Sequence, residues 1–246
     1  MSQALFEKRR RAAWWRRLRQ IALGLLVVGL VAGAIWTVWF STLLLVTEVD
    51  VEGMTTLKPA AVRAQAEVPM GLQLARVDTV DIETRVARME RIDGVDVRRR
   101  WPHTVLIRVK ERMPIAWVVS DGRIRYVDRN GVDFRTVSTE PKKLVEIRIG
   151  TEEPLDRQQA LEAVTAVISF LRADARDVLA QVTYVSAASQ DSVTLRLTNQ
   201  RTVVWGSAEH ESEKAEVLRP LLKRVDASRY DVSAPDLPTT KSTNQN

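Results

Sequence analysis

The hydrophobic pattern of the chain opens with twenty-seven consecutive residues, 21–47, that include no charged side chain. In a helix this run would reach roughly 40 Å, more than the ~30 Å hydrocarbon core of a bilayer. Its middle is apolar on every side, so no helix face is left for water. Near its ends lie Trp14, Trp15, Trp36 and Trp39, whose amphipathic rings favour the headgroup region. The pattern predicts a transmembrane helix over residues 21–45.

The pattern between residues 46 and 113 changes from alternating to helical and back. Alternation at 49–52 predicts a short strand, and Pro59 suits the first turn of a helix. Asp78 is the expected N-cap of a second helix that runs to about Glu90. Its expected inner face consists of Val80, Val86 and Met89. Two alternating runs joined by a turn at Pro102 then predict a hairpin, so two helices should pack on one face of a three-stranded sheet.

Residues 114–238 are predicted to form a sheet-rich unit around one long helix. Leu161, Val164, Ile168 and Leu171 recur at helical spacing. The expected strands cover residues 115–119, 124–127, 132–134, 144–149, 182–185, 193–197, 202–205 and 230–232. Ser207 is the expected cap of a last helix that Pro220 should kink or shorten. The polar tail, residues 239–246, is expected to be disordered.

The charges on either side of the apolar run predict its orientation. Seven basic residues and one acid precede it, whereas Glu48, Asp50 and Glu52 follow it before the first base at Lys58. By the positive-inside rule, the tail of residues 1–20 is cytoplasmic and the later domains are outside. Residues 32–34 also resemble the cleavage site of a secretory signal. The apolar run continues well beyond that site, which favours an uncleaved anchor.

Composition narrows the possible functions. Of 37 basic and 31 acidic residues, the first twenty residues hold seven and one, which leaves 30 of each in the rest of the chain. The net charge of +6 therefore belongs to the predicted cytoplasmic tail and gives no argument for nucleic-acid binding. The chain has no cysteine, which excludes disulfides, thiol catalysis and cysteine metal sites.

Motifs for catalysis are missing from the sequence. His103 and His210 are its only histidines, and no HExxH, GxGxxG, GxxxxGK[ST] or GxSxG motif occurs. Residues 98–100 are three arginines that could contact anionic lipid or wall polymer, or could equally be the exposed side of a strand. We therefore expect a non-enzymatic protein without metal, cofactor or small-molecule substrate.

A binding function suits the predicted layout better. A sheet that ends in a short strand near the C-terminus can offer an unpaired edge, to which a partner can add a strand. Pro235 and Pro238 could instead blunt that edge, so both interpretations stay open at this point.

Several motifs, in order along the chain, resemble the bacterial FtsQ/DivIB cell-division family. Residues 49–53 resemble the start of its POTRA domain, and residues 95–114 match its pattern V-x-V-x-R-x-W-P-x-T-[LV]-x-I-x-V-x-E-R-x-P almost throughout. The later matching segments are residues 127–134, 203–206 and 230–235, with Lys214, Leu218, Leu221 and Leu222 between the last two. The chain departs from the family at Leu144-Val145, where Leu-Pro is common, and at Pro220.

The resemblance implies a non-enzymatic scaffold of the division septum in the plasma membrane. In the family, the POTRA domain helps recruitment, and the following β-domain binds the bitopic proteins FtsB and FtsL by strand addition at its last strand. Carried onto this chain, the edge would cover residues 229–237. The candidate partner-binding residues are Arg229, Tyr230, Asp231, Val232, Ser233, Ala234, Leu237 and Lys214. Among them, Tyr230 and Val232 are expected to make side-chain contacts.

The predicted fold class is α+β: a single N-terminal transmembrane helix, a POTRA domain (β-α-α-β-β) and a sheet-rich mixed α/β domain. The expected boundaries are 1–20 for the tail, 21–45 for the span, 46–113 for the POTRA domain, 114–238 for the β-domain and 239–246 for the disordered tail. Two other functions remain open: a POTRA-type module of secretion or outer-membrane assembly, and an anchored cell-wall hydrolase.

Overall fold

The computed structural model describes residues 3–40, 42–151 and 153–242. Its first helix, α1, runs from Gln3 to Phe40. Wherever the structure describes an α1 side chain, that side chain is exposed. Among the described residues, no helix combines the length and apolarity needed to cross a membrane. The span over residues 21–45 therefore stays a prediction.

The chain divides into two units, residues 1–111 and residues 112–246, which we call the first and second unit. After α1, the first unit contains β1 (Glu48–Glu52), α2 (Pro59–Ala66), α3 (Thr79–Ala87), β2 (Ile92–Arg100) and β3 (Thr104–Glu111). The strand order is β1-β3-β2, with β1 parallel and β2 antiparallel to the central β3. The predicted β-α-α-β-β order is confirmed.

The second helix of this POTRA-like fold starts as predicted but buries a different face. The carboxylate of Asp78 accepts hydrogen bonds from the amides of Val80 and Asp81, at 3.0 and 3.1 Å. Val80, expected inside, is 67 % exposed, whereas Ile82 and Val86 are buried one helical turn apart. The prediction for Val80 is wrong because the buried stripe follows the Ile82–Val86 spacing.

Glu111, the last residue of β3, holds the loop after β1 in place. Its side chain, 6 % exposed, accepts hydrogen bonds from the amides of Thr55, Thr56 and Leu57 at 2.7–2.8 Å. The Thr56 hydroxyl donates to the other carboxylate oxygen at 2.6 Å. Burial works against ionisation, but the bonds from the Thr56 hydroxyl and the three amides outweigh it and lower the pKa of Glu111 to about 2.

Arg112 follows Glu111 directly and belongs to the second unit. It donates to the carboxylate of Asp128, whose side chain is almost fully buried. Asp128 also accepts from the amides of Asn130 and Val132, both at 2.9 Å. Glu111 and Arg112 are therefore consecutive residues whose side chains bind partners in two different units.

The second unit is built on one nine-stranded sheet with the order β12-β11-β10-β9-β8-β7-β4-β5-β6. Its strands are β4 (Ala116–Ser120), β5 (Arg123–Val127), β6 (Asp133–Val137), β7 (Val145–Ile149), β8 (Val182–Ala187), β9 (Val193–Leu197), β10 (Thr202–Gly206), β11 (Arg229–Asp231) and β12 (Thr239–Lys241). Its helices are α4 (Pro154–Asp174), α5 (Arg176–Leu179) and α6 (Glu211–Arg224).

The long helix α4 supplies the centre of the core. The four residues that the helical spacing selected, Leu161, Val164, Ile168 and Leu171, are all buried, which confirms the prediction. At Gly131, with φ of +75°, an added Cβ would lie 2.8 Å from the Glu162 amide nitrogen of α4. The turn before β6 therefore approaches α4 so closely that only glycine fits.

The C-terminal part of the chain differs from the prediction in three places. His210 rather than Ser207 is the N-cap of α6, and Pro220 lies inside α6 without ending it. The buried Leu218, together with Leu221 and Leu222 packed against the core, holds the helix where proline removes one hydrogen bond. In addition, residues 239–241 of the tail form β12. Residues 243–246 of that tail lie outside the described residues.

Candidate partner-binding edge

The C-terminal end of the nine-stranded sheet contains the predicted binding residues. β11 pairs in parallel with β10, Val203 facing Tyr230 and Val204 facing Asp231. On its other side, β11 pairs antiparallel with β12. The predicted edge strand is therefore not outermost, because the chain's own C-terminal segment covers it.

Strand β11 is held by the core and by β10. Tyr230 and Val232 are both fully buried. The Tyr230 hydroxyl donates to the Val225 carbonyl at 2.7 Å and accepts from the Ala227 amide at 3.3 Å. The Val232 amide donates to the Val204 carbonyl of β10 at 3.0 Å. None of these bonds involves β12.

The burial of Tyr230 and Val232 corrects their expected role. Both side chains face the core, because alternation along a strand sends residues 230 and 232 to the same face of the sheet. They position β11 and are not available for a side-chain contact with a partner. The exposed members of the predicted set are Arg229, Ser233, Ala234 and Leu237, and Asp231 is half-buried.

Lys214 does not lie on this surface either. It is 1 % exposed, and its Nζ donates to the Ser207 carbonyl at 2.9 Å, which closes the turn between β10 and α6. Burial lowers the pKa of Lys214, against the opposing charges of Glu211 and Glu209. Burial likewise raises the pKa of Glu211, which Lys214 lowers and Asp174 raises further. Lys214 therefore holds the turn between β10 and α6 in place within the second unit.

The segment after β11 packs tightly on the end of β10. At Gly206, with φ of +78°, an added Cβ would lie 2.9 Å from the Cβ of Ser233. The Asp231 carboxylate accepts from the amide and the hydroxyl of Ser233, at 3.1 and 2.6 Å. Leu237, in contrast, is 79 % exposed. The loop therefore has a fixed beginning and presents one apolar side chain to solvent close to its end.

The three residues of β12 lie in the tail that is expected from its polar composition to be disordered. Thr239, Thr240 and Lys241 are all exposed, and they face Asp231, Tyr230 and Arg229 in turn. The Lys241 carbonyl also accepts from the amide and the hydroxyl of Ser228, both at 3.0 Å. The two neighbouring threonines have high strand propensity, which was the one available indication of a strand.

Within residues 3–40, 42–151 and 153–242, no three His, Asp or Glu side chains are grouped as a metal site. His210 is exposed and faces Glu213, 3.3 Å away on α6. The arrangement at the C-terminal end of the sheet suits the binding of an extended chain.

Comparison with known proteins agrees with the two-unit fold. Residues 44–112 match the family model "POTRA domain, FtsQ-type", and residues 115–237 match "Cell division protein FtsQ/DivIB, C-terminal". The chain is 40 % identical over 228 residues to the cell division protein FtsQ of Streptomyces venezuelae, covering 89 % of this chain and 82 % of that one.

Two further relatives carry the same name. The cell division protein FtsQ of Streptomyces bingchenggensis is 38 % identical over 94 % of this chain and 88 % of its own. That of Mycobacteroides abscessus is 35 % identical over 90 % of this chain and 68 % of its own. With both family models matched in order and relatives aligned over most of their length, the chain belongs to the FtsQ/DivIB family of cell-division proteins.

Proposed function

We propose that this protein is a non-enzymatic scaffold of the division septum that links membrane proteins of the division machinery. A helix over residues 21–45 anchors it in the plasma membrane with its N-terminus in the cytoplasm. The POTRA unit helps to recruit it to the division site. The sheet of the second unit binds bitopic partners that resemble FtsB and FtsL, by strand addition at its C-terminal end.

The observation that carries this proposal is the structure of that end of the sheet. β11 is a three-residue strand that pairs with β10 along one edge, and its other edge is covered only by the three exposed residues of β12. Short end strands hold few ladder bonds, so this end can exchange or gain a strand more readily than a long one. Leu237, in the connection between β11 and β12, adds an exposed apolar side chain. The opposite end of the sheet, β6, has five residues and a buried Phe134.

The scaffold function is tested by localisation and depletion. A fluorescent fusion of the full-length protein should form bands at midcell, and its depletion should give long cells without septa. A uniform membrane signal, with cells that divide normally after depletion, would overturn the proposal.

The binding edge is tested by photo-crosslinking in dividing cells. A photoreactive amino acid replaces Leu237 in the full-length protein, and the matched control places it at Arg135, an exposed position on β6. We expect adducts with small single-span division proteins from position 237 and none from position 135. Equal adducts from both positions, or adducts from position 135 alone, would refute binding at the C-terminal end.

A further inference from the structure

We infer that the first unit rests on the bilayer with the end of its sheet where β1 begins, and that apolar side chains at this end insert into the headgroup region. The surface consists of Leu43, Met70, Val80 and Trp101, and we call it the apolar end. This inference rests on the proposed anchor in the plasma membrane and adds to it a second, peripheral contact with lipid.

The exposed apolar side chains of the first unit are concentrated at this end. Within residues 42–111, all of which the structure describes, four large apolar side chains are exposed: Leu43, Met70, Val80 and Trp101. Each exposes half or more of its surface to solvent. Apolar side chains that are exposed singly are normal, whereas a group at one place indicates an interaction site.

Hydrogen bonds place Met70 and Leu43 beside the start of β1. The Gly71 amide donates to the Val46 carbonyl, and the Val46 amide donates to the Leu72 carbonyl, both at 2.9 Å. Met70 directly precedes Gly71, and Leu43 lies three residues before Val46. The loop that carries Met70 is therefore fastened to the segment that leads from α1 into β1.

The turn between β2 and β3 brings Trp101 to the same place. The Thr47 amide donates to the carbonyl of His103 in this turn, at 3.0 Å. Trp101 lies two residues before His103, and its side chain is exposed although the strands on both sides of the turn are paired. The segment of residues 46–47 is thus held by two loops, each of which presents one large apolar side chain to solvent.

Val80 belongs to the first turn of α3, which begins at this end as well. The Arg99 guanidinium donates to the Val77 carbonyl at 2.7 Å, which fastens the approach to α3 to the end of β2. Because β2 is antiparallel to β3 and β1 is parallel to it, the end of β2 lies at the start of the other two strands.

The opposite end of the sheet has a different surface. There β1 ends at Glu52, β3 ends at Glu111 and β2 begins at Ile92. Every large apolar side chain in residues 52–58, 88–93 and 108–111, all described by the structure, is buried or half-buried. The two ends of one small sheet thus differ in the property that decides contact with lipid.

The three arginines at residues 98–100 contribute less to this contact than their number suggests. Arg98 pairs with Asp96 at 2.8 Å, and Arg100 pairs with Asp50 at 2.7 Å. The arginine between them donates to a backbone carbonyl. With two of the three charges balanced by carboxylates, the contact depends on the apolar side chains and does not require anionic lipid.

The bilayer is the apolar partner within reach of this surface. The uncharged run of residues 21–47 ends where the two loops hold residues 46–47, and an extended chain advances only about 3.3 Å per residue. Tryptophan favours the headgroup region, and peripheral apolar faces enter it by about 5–10 Å. A helix that anchors residues 21–45 therefore brings Met70 and Trp101 to the bilayer surface.

Spin labels on single cysteines test the contact in the full-length protein, reconstituted into phosphatidylcholine vesicles at a high ratio of lipid to protein. The chain has no cysteine, so each introduced one is unique. Met70→Cys and Trp101→Cys report on the apolar end, and the first of them keeps the tryptophan. Lys58→Cys is the matched control at the opposite end, since Lys58 is exposed and makes no capping bond with its side chain. Leu26→Cys reports on the anchor.

The readout is the collision rate of each label with a water-soluble nickel chelate, measured against its collision rate with oxygen. At positions 70 and 101 we expect the nickel rate to be at least about fivefold lower than at position 58, because labels below the headgroup surface meet few polar molecules. Protection that appears only after phosphatidylglycerol is added would assign the contact to the arginines and overturn the inference.

The remaining outcomes separate this inference from the proposed function. If the label at position 26 is protected while those at positions 70 and 101 collide with nickel as often as that at position 58, the first unit stands clear of the bilayer, and the anchor remains. Spin–spin broadening at positions 70 and 101 would show that a second copy covers the apolar end instead. A label at position 26 that is as accessible as that at position 58 would refute the anchor, and the inference with it.

Discussion

The carboxylate of Glu111 offers the most quantitative test of the first unit. Four donors surround it: the amides of Thr55, Thr56 and Leu57, and the hydroxyl of Thr56. Replacement by Gln keeps the shape but removes the charge, and it places an NH₂ group against donors. We expect Glu111→Gln to lower the free energy of unfolding of the first unit.

The magnitude follows from the pKa of Glu111, which is about 2 in the folded protein against an ordinary value of 4.5. A difference of this size corresponds to about 3 kcal/mol of stability from the charged form at neutral pH. Because the folded pKa is the lower one, this contribution is complete above pH 4.5 and is lost as the pH falls towards 2. The Glu111→Gln variant should therefore differ most from the natural protein at neutral pH and least near pH 2.

The measurement is native-state hydrogen exchange of the full-length protein, followed by mass spectrometry of peptides that cover β3 (Thr104–Glu111). Glu67→Gln makes the same chemical change at an exposed position of the first unit and should leave the exchange unchanged. A loss below about 0.5 kcal/mol, or a loss of equal size at pH 7 and at pH 3, would refute the account of Glu111, since the linkage requires the difference to shrink with pH.

Three other substitutions test close packing and buried charge. Gly53→Ala places a Cβ 2.2 Å from the Val109 carbonyl oxygen at φ of +84°; it should cost at least about 2 kcal/mol, seen as faster exchange in β3. Asp128→Asn removes the buried negative charge that binds Arg112; it should cost about 3 kcal/mol in urea unfolding of the second unit. Ile168→Ala empties part of the core around α4 and should cost about 2–5 kcal/mol in the same assay, whereas Leu155→Ala, at an exposed position of α4, should change little.

The sequence predicted best those elements whose local pattern and tertiary environment agree. The spacing of Leu161, Val164, Ile168 and Leu171 identifies the buried face of α4, because a long helix packed on a sheet needs one continuous apolar stripe. The short helix α3 allowed two choices of stripe, and Val80 was assigned to the wrong one. A short helix has few turns, so only a few apolar positions are available to indicate which of its faces is buried.

The candidate site was harder to predict because its features depend on distant partners. Lysine is expected at the surface, yet Lys214 is buried. Its Nζ donates a hydrogen bond to the Ser207 carbonyl, seven residues earlier, and this bond stabilises the buried amine. The polar composition of residues 239–241 suggested disorder, but the outer edge of β11 supplies backbone partners that no local pattern shows. The burial of Tyr230 likewise follows from the core that forms beneath β11.

The neighbouring anchors at Glu111 and Arg112 have a consequence for how chains of this kind can be recombined. Thr55, Thr56 and Leu57, which donate to Glu111, precede the peptide bond that joins Glu111 to Arg112, whereas Asp128, which accepts from Arg112, follows it. A crossover at this peptide bond would transfer each unit together with the side chain that fastens its end. A crossover one residue earlier would separate Glu111 from its donors, which would then come from a different protein. A crossover one residue later would separate Arg112 from Asp128 in the same way.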